Sequence, residues 1–431
     1  MPLTRKLLLT LVLLTLASAT SAQVNITITG GSEEALPIAV VPFQTTGDNN
    51  APGEDLAAII RADLNRSGVF KALPPANYVA SPGRGDEVRF SNWRALGVDH
   101  LVVGEVSRGE DGDYSVRVEL IDVYGGEALA SKLYTASSDA LRSAAHTVSN
   151  LVFEELTGRA GAFDSELVYV RSQGAGESQE YQLMYADADG AQAQSILTTS
   201  APLLSPDWSP SGSRVAYVSL AGTGSRIYIQ EIATGEREVV ANFDGVSSAP
   251  AFGPDGDRLA LTRSTDGNPD IHILDLDTGE TRRVTSHYGI DTEPVWTPDG
   301  EHLLFTSDRS GGPQIFRVAA NGGQPERITY EGGYNASPDL GPDGELLTMV
   351  RRKDGKFHIA IKNLKKDLTR LLTGGKLDES PRFSPNGAMI VYTRVAENRE
   401  ELATVSVHGR ANEALREFEG NVREPAWSPI D

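Results

Sequence analysis

One pattern constrains this chain more than any other. Prolines 206, 250, 294, 338, 381 and 425 each open a related segment: Pro206-Asp207-Trp208-Ser209-Pro210, Pro250-Ala251-Phe252-Gly253-Pro254, Pro294-Val295-Trp296-Thr297-Pro298, Pro338-Asp339-Leu340-Gly341-Pro342, Pro381-Arg382-Phe383-Ser384-Pro385 and Pro425-Ala426-Trp427-Ser428-Pro429. Their spacings are 44, 44, 44, 43 and 44. A fixed period of this length marks a repeat architecture in which each unit buries its faces only against its neighbours.

Each period reads as four short strands. A strand ends in Trp, Phe or Leu, and a Pro-Asp-Gly-type turn follows, in which proline presets φ and glycine supplies a positive φ. A second β-rich run comes next (Val215–Val218, Leu259–Thr262, Leu303–Thr306, Leu347–Val350, Ile390–Thr393), then a third (Ile227–Gln230, Ile271–Leu274, Ile315–Val318, Leu402–Val405). Turns such as Thr234-Gly235, Thr278-Gly279 and Asn321-Gly322 lead into the fourth. Four strands in about 44 residues make one blade of a β-propeller. The sixth repeat has a first strand and no others, whereas Leu167–Val170 reads as a second strand with nothing before it. The final strand is therefore expected to complete the blade begun near residue 166, giving a six-bladed propeller over residues 166–431. The Gly-His and Trp-Asp pairs of WD40 repeats are absent from these segments.

Ahead of the repeats lies a small α/β region, residues 23–157, with residues 158–165 as a linker. Strands are expected at Ile38–Phe43, Leu101–Val106, Tyr114–Val123 and Leu129–Thr135. Residues 54–67 align Leu56, Ile59, Ile60 and Leu64 on one helical face, and Asp139–Leu156 aligns Leu141, Ala145, Val148, Val152 and Leu156. A short helix is expected at Ser91–Leu96. The fold class is thus multidomain, α/β followed by all-β.

Residues 1–22 have the order of a secretory signal peptide: Arg5 and Lys6, an apolar run from Leu7 to Leu16, then small residues from Ala17 to Ala22. That run is about half of the roughly 20 residues a membrane span needs. Cleavage fits after Ala19 or Ala22, and Ala22 is preferred. Residues 23–31 alternate Val24, Ile26 and Ile28 with polar residues and end in Gly30-Gly31. This arm reads equally as an edge strand or as a free segment able to join another protein's sheet.

Composition narrows the function. The 39 Lys+Arg stand against 59 Asp+Glu, a net charge of −20, which argues against nucleic acid and anionic membrane surfaces as partners. The chain has no cysteine, so a thiol nucleophile, a Cys-ligated metal and a disulfide scaffold are excluded. There is no Gly-x-Ser-x-Gly elbow, no phosphate-binding Gly-x-x-x-x-Gly-Lys-Ser/Thr and no His-Glu-x-x-His. No catalytic residue, cofactor or metal is assigned. Asp187-Ala188-Asp189-Gly190 has part of a calcium-loop pattern but lacks its third acid and closing glutamate, and it falls where other blades turn. Acidic and polar residues recur beside the first strand of successive blades: Tyr288, Asp291 and Glu293, then Tyr334 and Asn335, then Asp378 and Glu379, then Arg423 and Glu424. Recurrence of position with changing chemistry reads as a partner-binding rim, with solvated loop residues as the plainer alternative.

The export signal, Ala39-Val40-Val41-Pro42-Phe43, Leu101-Val102-Val103-Gly104-Glu105-Val106, the stretch from His146 to Phe153-Glu154-Glu155-Leu156-Thr157-Gly158 and the six repeats together resemble the TolB family, the periplasmic propeller proteins of the Tol–Pal system of Gram-negative bacteria. The Leu340-Gly341 repeat departs from the family's aromatic-Ser pattern. The resemblance implies a monomeric, non-enzymatic periplasmic adaptor that does not span the membrane. Such an adaptor binds the peptidoglycan-associated lipoprotein Pal on the propeller face and TolA through the mature N-terminal segment, supporting outer-membrane integrity and constriction at division. Two other classes stand beside it: a propeller that binds a glycan or a metal, and the gating propeller of a prolyl oligopeptidase-like peptidase. The second needs a catalytic domain of about 200 residues, and residues 23–165 do not supply it.

Overall fold

A computed structural model describes residues 34–46 and 52–430, apart from residues 223, 244, 266, 398 and 417. The signal segment 1–22 and the arm 23–31, with Val24, Ile26 and Ile28, lie outside the described residues.

The first domain is a mixed sheet with helices on both faces. Its strands are β1 (Leu36–Val40), β2 (Gln44–Thr46), β3 (Phe70–Ala72), β4 (His100–Arg108), β5 (Tyr114–Asp122) and β6 (Glu127–Ala136), and its helices α1 (Leu56–Arg66), α2 (Phe90–Ala95) and α3 (Leu141–Thr157). The sheet order is β3-β1-β4-β5-β6, with β2 also pairing β4. β1 runs parallel to β3 and β4, and β4, β5 and β6 are antiparallel. The buried stretches of the central strands, Ile38–Val40 of β1 and Leu101–Val103 of β4, are apolar because both faces are covered. Ile38, Val40 and Val102 pack under α1 and α3, while Ala39, Val41, Leu101 and Val103 face Trp93 of α2. Asp55 caps α1, its Oδ1 accepting from the Ala58 amide at 3.0 Å, and Gly158 ends α3 at a φ of 69°.

The repeats form a six-bladed propeller. Blade 1 is Asn421–Trp427, Glu166–Gln173, Glu180–Asp187 and Gln194–Thr199, so the last strand of the chain is the innermost strand of the first blade, as the sequence pattern implies. Blades 2 to 6 follow at 203–241, 247–283, 291–327, 335–371 and 378–414, each a four-stranded antiparallel sheet in sequence order. Blade 5 forms despite Leu340-Gly341. Trp208, Trp296 and Trp427 face the neighbouring blade, and their indole N–H groups donate to Ala426 O (3.2 Å), Ala251 O (3.0 Å) and Ser165 Oγ (2.6 Å).

Residues 158–165 are packed rather than a loose connection. Ala162 and Phe163 are fully buried, and the Phe163 amide donates to Asn150 Oδ1 at 2.9 Å. Phe163 joins one core with Phe153 of α3, Leu167 and Tyr169 of blade 1 and Met389 and Leu402 of blade 6. Asn386, in the turn between the first two strands of blade 6, donates through Nδ2 to Ala160 O at 3.1 Å, and Arg159 donates to Asn386 O. The α/β domain therefore packs against blades 1 and 6 on the propeller face that carries these turns. The opposite face carries the segments entering each first strand and the hairpins between second and third strands.

Candidate functional site: the axial channel and its open mouth

The innermost strand of every blade contains a register shift at its repeat proline, at Leu204/Asp207, Ser248/Ala251, Thr292/Val295, Ala336/Asp339, Glu379/Arg382 and Arg423/Ala426. The residue before each proline adopts a left-handed backbone: Ser205, Ala249, Glu293, Ser337, Ser380 and Glu424 have φ between 47° and 56°. Six non-glycine residues in this region, each of a kind that costs of order 1–3 kcal/mol, are held by the ring around them. Three have their amides capped by a threonine from the preceding blade. The Glu293 amide donates to Thr262 Oγ1 (3.3 Å), that of Ser337 to Thr306 Oγ1 (3.1 Å) and that of Glu424 to Thr393 Oγ1 (3.0 Å).

These bulges line a cavity of about 370 Å³ on the propeller axis, bordered also by Tyr334, Phe357, Glu379 and Arg382. Its polarity is acidic and has a two-fold pattern. Glu293 accepts from the Ser337 amide (2.9 Å), Ser337 Oγ (2.8 Å) and Thr306 Oγ1 (2.7 Å). Across the axis, Glu424 accepts from the Ser205 amide at 2.5 Å. Deeper in, Asp207 accepts from the Phe252 amide (2.8 Å) and Asp339 from the Phe383 amide (2.7 Å), again in blades three apart. Arg382 breaks the pattern and lies 3.8 Å from Asp339.

Burial sets the protonation of this channel. It pushes the Asp207 carboxyl up to about 6, with the Asp339 charge adding to the rise and Arg382 and the Phe252 amide opposing it. Asp339 is raised chiefly by burial. Glu379 is raised by burial and then by Glu400, Glu424 and Glu293, and Glu424 by burial against the pull of the Ser205 amide and Arg423. Acids that repel one another around a partly dehydrated mouth favour a cationic group arriving from outside. Among the described residues, no histidine, lysine or cysteine lines the cavity.

The residues singled out from sequence divide into two sets. Tyr288 is 86% exposed on the open face, its ring tilted against that of His287, with Ile290 and Tyr330 also exposed on that face. Glu293, Tyr334, Glu379 and Glu424 line the channel mouth, and half-buried Arg423 lies beside Glu424. Asp291, Asn335 and Asp378 do not belong to a rim: all three are buried. Asp291 is held by Ser307 Oγ (2.7 Å) and Arg309 (2.6 Å), Asn335 donates to Gln314 Oε1 (2.9 Å), and Asp378 accepts from Thr373. They begin the first strand, and its pleat turns them into the blade rather than toward solvent. Asp207, Asp339 and Arg382 were absent from the sequence expectation. Their signal was the position after each repeat proline, which reads Asp, Ala, Val, Asp, Arg and Ala.

Residues 24–129 match the TolB amino-terminal domain, and residues 153–431 match the TolB beta propeller domain. This chain is a member of the TolB family. A Tol-Pal system protein TolB from Alkalilimnicola ehrlichii is 54% identical over 93% of this chain and 94% of its own length. Its counterpart from Nitrosococcus oceani is 56% identical over 95% and 94%. The crystal structure of TolB from Acinetobacter baumannii superposes with a TM-score of 0.84 at 39% identity, covering 92% of this chain and 98% of that one. As a TolB family member the chain is a component of the Tol–Pal system, and no helix among the described residues is long and apolar enough to cross a membrane.

Proposed function

We propose that this TolB family member is a non-enzymatic periplasmic adaptor. It binds Pal through the open propeller face and TolA through the arm Gln23–Gly31, and so supports outer-membrane integrity and constriction during division. The observation that carries the reading is the asymmetry of the propeller. One face is occupied by the α/β domain, and the other presents exposed Tyr288, Ile290 and Tyr330 around an acidic channel mouth. Exposed aromatics beside a charged, partly dehydrated pocket are the usual anchors of a protein interface. Both faces of the central strands β1 and β4 in the α/β domain are filled by packing side chains, which favours an adaptor over a hydrolase.

The test is calorimetric titration of residues 23–431 with the soluble domain of Pal from the same organism. Tyr288→Ala and Glu379→Ala, both at exposed positions, are expected to weaken binding by roughly tenfold each. Deleting residues 23–31 is expected to leave Pal binding intact and to abolish capture of the soluble domain of TolA. Binding of Pal that neither point variant changes moves the site off this face, and absence of binding at tens of micromolar rejects the adaptor reading.

A further inference from the structure

Where α3 meets blade 1, the two domains bury a second cluster of charge, remote from the channel. The turn between the last two strands of blade 1 is Asp187-Ala188-Asp189-Gly190, closed by the Gly190 amide donating to Asp187 O at 2.7 Å. His146 of α3 lies beside it. The side chain of His146 is 3% exposed, and its Nδ1 lies 2.7 Å from Asp63 Oδ2. Asp63 is itself buried and fixed by Arg66 (2.5 Å) and Ser149 Oγ (2.8 Å). With Nδ1 committed to that carboxylate, Nε2 carries the free lone pair, and Nε2 is buried without a hydrogen-bond partner. Ligating atoms of His146, Asp187 and Asp189 lie within 4.8 Å of one another.

We propose that His146 Nε2, Asp187 and Asp189 bind a divalent transition-metal ion of the zinc type at the junction of the two domains. Three features converge on a metal rather than a plain ion pair. An imidazole whose second nitrogen is locked by a buried carboxylate is the arrangement by which metal-ligating histidines are oriented. One nitrogen and two carboxylate oxygens form a three-ligand set that suits zinc and leaves a position for water. A hard cation such as calcium has no use for the imidazole. Arg142 donates to Oδ2 of both aspartates, holding them side by side, and Glu54 and Arg416 lie 3.9 Å from Arg142 and Asp189 respectively. Arg142 leaves Asp187 Oδ1 for the metal, and Asp189 Oδ1, which also accepts from the Ala191 amide at 2.9 Å, keeps a second lone pair. A bound ion would tie α3 to blade 1 directly.

The experiment is titration of the chelator-stripped chain (residues 23–431) with Zn²⁺ in competition with a chromophoric chelator, and with Ca²⁺ in parallel. Expected is one saturable zinc site that raises the melting midpoint. His146→Gln and Asp189→Asn should remove it, and Asp63→Asn should weaken it 10–100-fold. Glu293→Gln/Glu424→Gln, in the channel, should leave it unchanged. Asp189 lies in a turn rather than in the α3 core, so its variant keeps the test valid if His146→Gln fails to fold, which circular dichroism reads. The proposal is overturned by absence of a stoichiometric zinc site, by a site that survives His146→Gln and Asp189→Asn, or by one that the channel variant removes.

Discussion

Thr285, Thr329 and Thr373 recur at the propeller's own period, and all three are buried. Their hydroxyls accept from the amides of Ile271 (3.0 Å), Ile315 (2.9 Å) and Ile359 (2.9 Å), where the short outer strands would otherwise leave a donor unpaired. Thr285→Val keeps the shape and removes the acceptor, so it is expected to cost about 1–3 kcal/mol, read by chemical denaturation against exposed Thr234→Val, which should change stability by less than about 0.5 kcal/mol. In the channel, Asp207 carries a pH signature. Its folded pKa of about 6 lies above the ordinary aspartate value. The folded state thus holds the extra proton between about pH 4 and 6, and stability from this group falls as pH rises through that window. Asp207→Asn is expected to raise the melting midpoint by roughly 2–4 °C at pH 7, a gain that vanishes near pH 4. At this scale the sequence shows the repeat prolines and tryptophans plainly but hides the left-handed residues before the prolines. Proline disfavours helical backbone in its predecessor and points to an extended one, and Ser, Ala and Glu give no sign of positive φ. Only closure of the ring imposes it.

Strands and helices with a strong period were legible where they were long. α1 falls within the expected 54–67, α3 starts two residues after the expected Asp139 because a 3₁₀ turn at Ser138–Ala140 precedes it, and β5 matches its alternation. β3 was not legible: Phe70–Ala72 has three residues, and only its parallel partner β1, more than thirty positions earlier, makes it a strand. Blade 5 survives a weakened signature because Leu340 keeps the aromatic's place in the ladder opposite Leu347. The closing strand Asn421–Trp427 is the element on which the ring depends. It pairs with Glu166–Gln173, and Ser428 Oγ accepts from the Glu166 amide at 2.9 Å. A chain ending at residue 420 leaves that strand as an open edge. It is expected to lose its single cooperative unfolding transition and to associate, read by circular dichroism and size-exclusion chromatography.

The α/β domain and the propeller share a core, and the contacts between them follow from departures from the repeat. The turn position that is Asp255, Asp299 and Asp343 in blades 3 to 5 is Asn386 in blade 6, where the amide donates to Ala160 O, as a carboxylate does not. Asn386→Asp restores the repeat's own residue. It is expected to leave the propeller's melting midpoint within about 1 °C while speeding proteolytic cleavage near residues 158–165 several-fold, measured by limited digestion and mass spectrometry.

The pairing of the first blade's strand Glu166–Gln173 with residues 421–427 also has a temporal meaning. Trp427 meets Ser165 across 262 positions of chain. Synthesis delivers the α/β domain and five consecutive blades before the strand that closes the ring exists. Until residue 427 has emerged, the growing polypeptide carries a half-built blade with an exposed edge, a state prone to wrong pairing. Ring formation is thus deferred until residues 421–427 are available to pair with Glu166–Gln173, and loop closure over so long a span makes it slow.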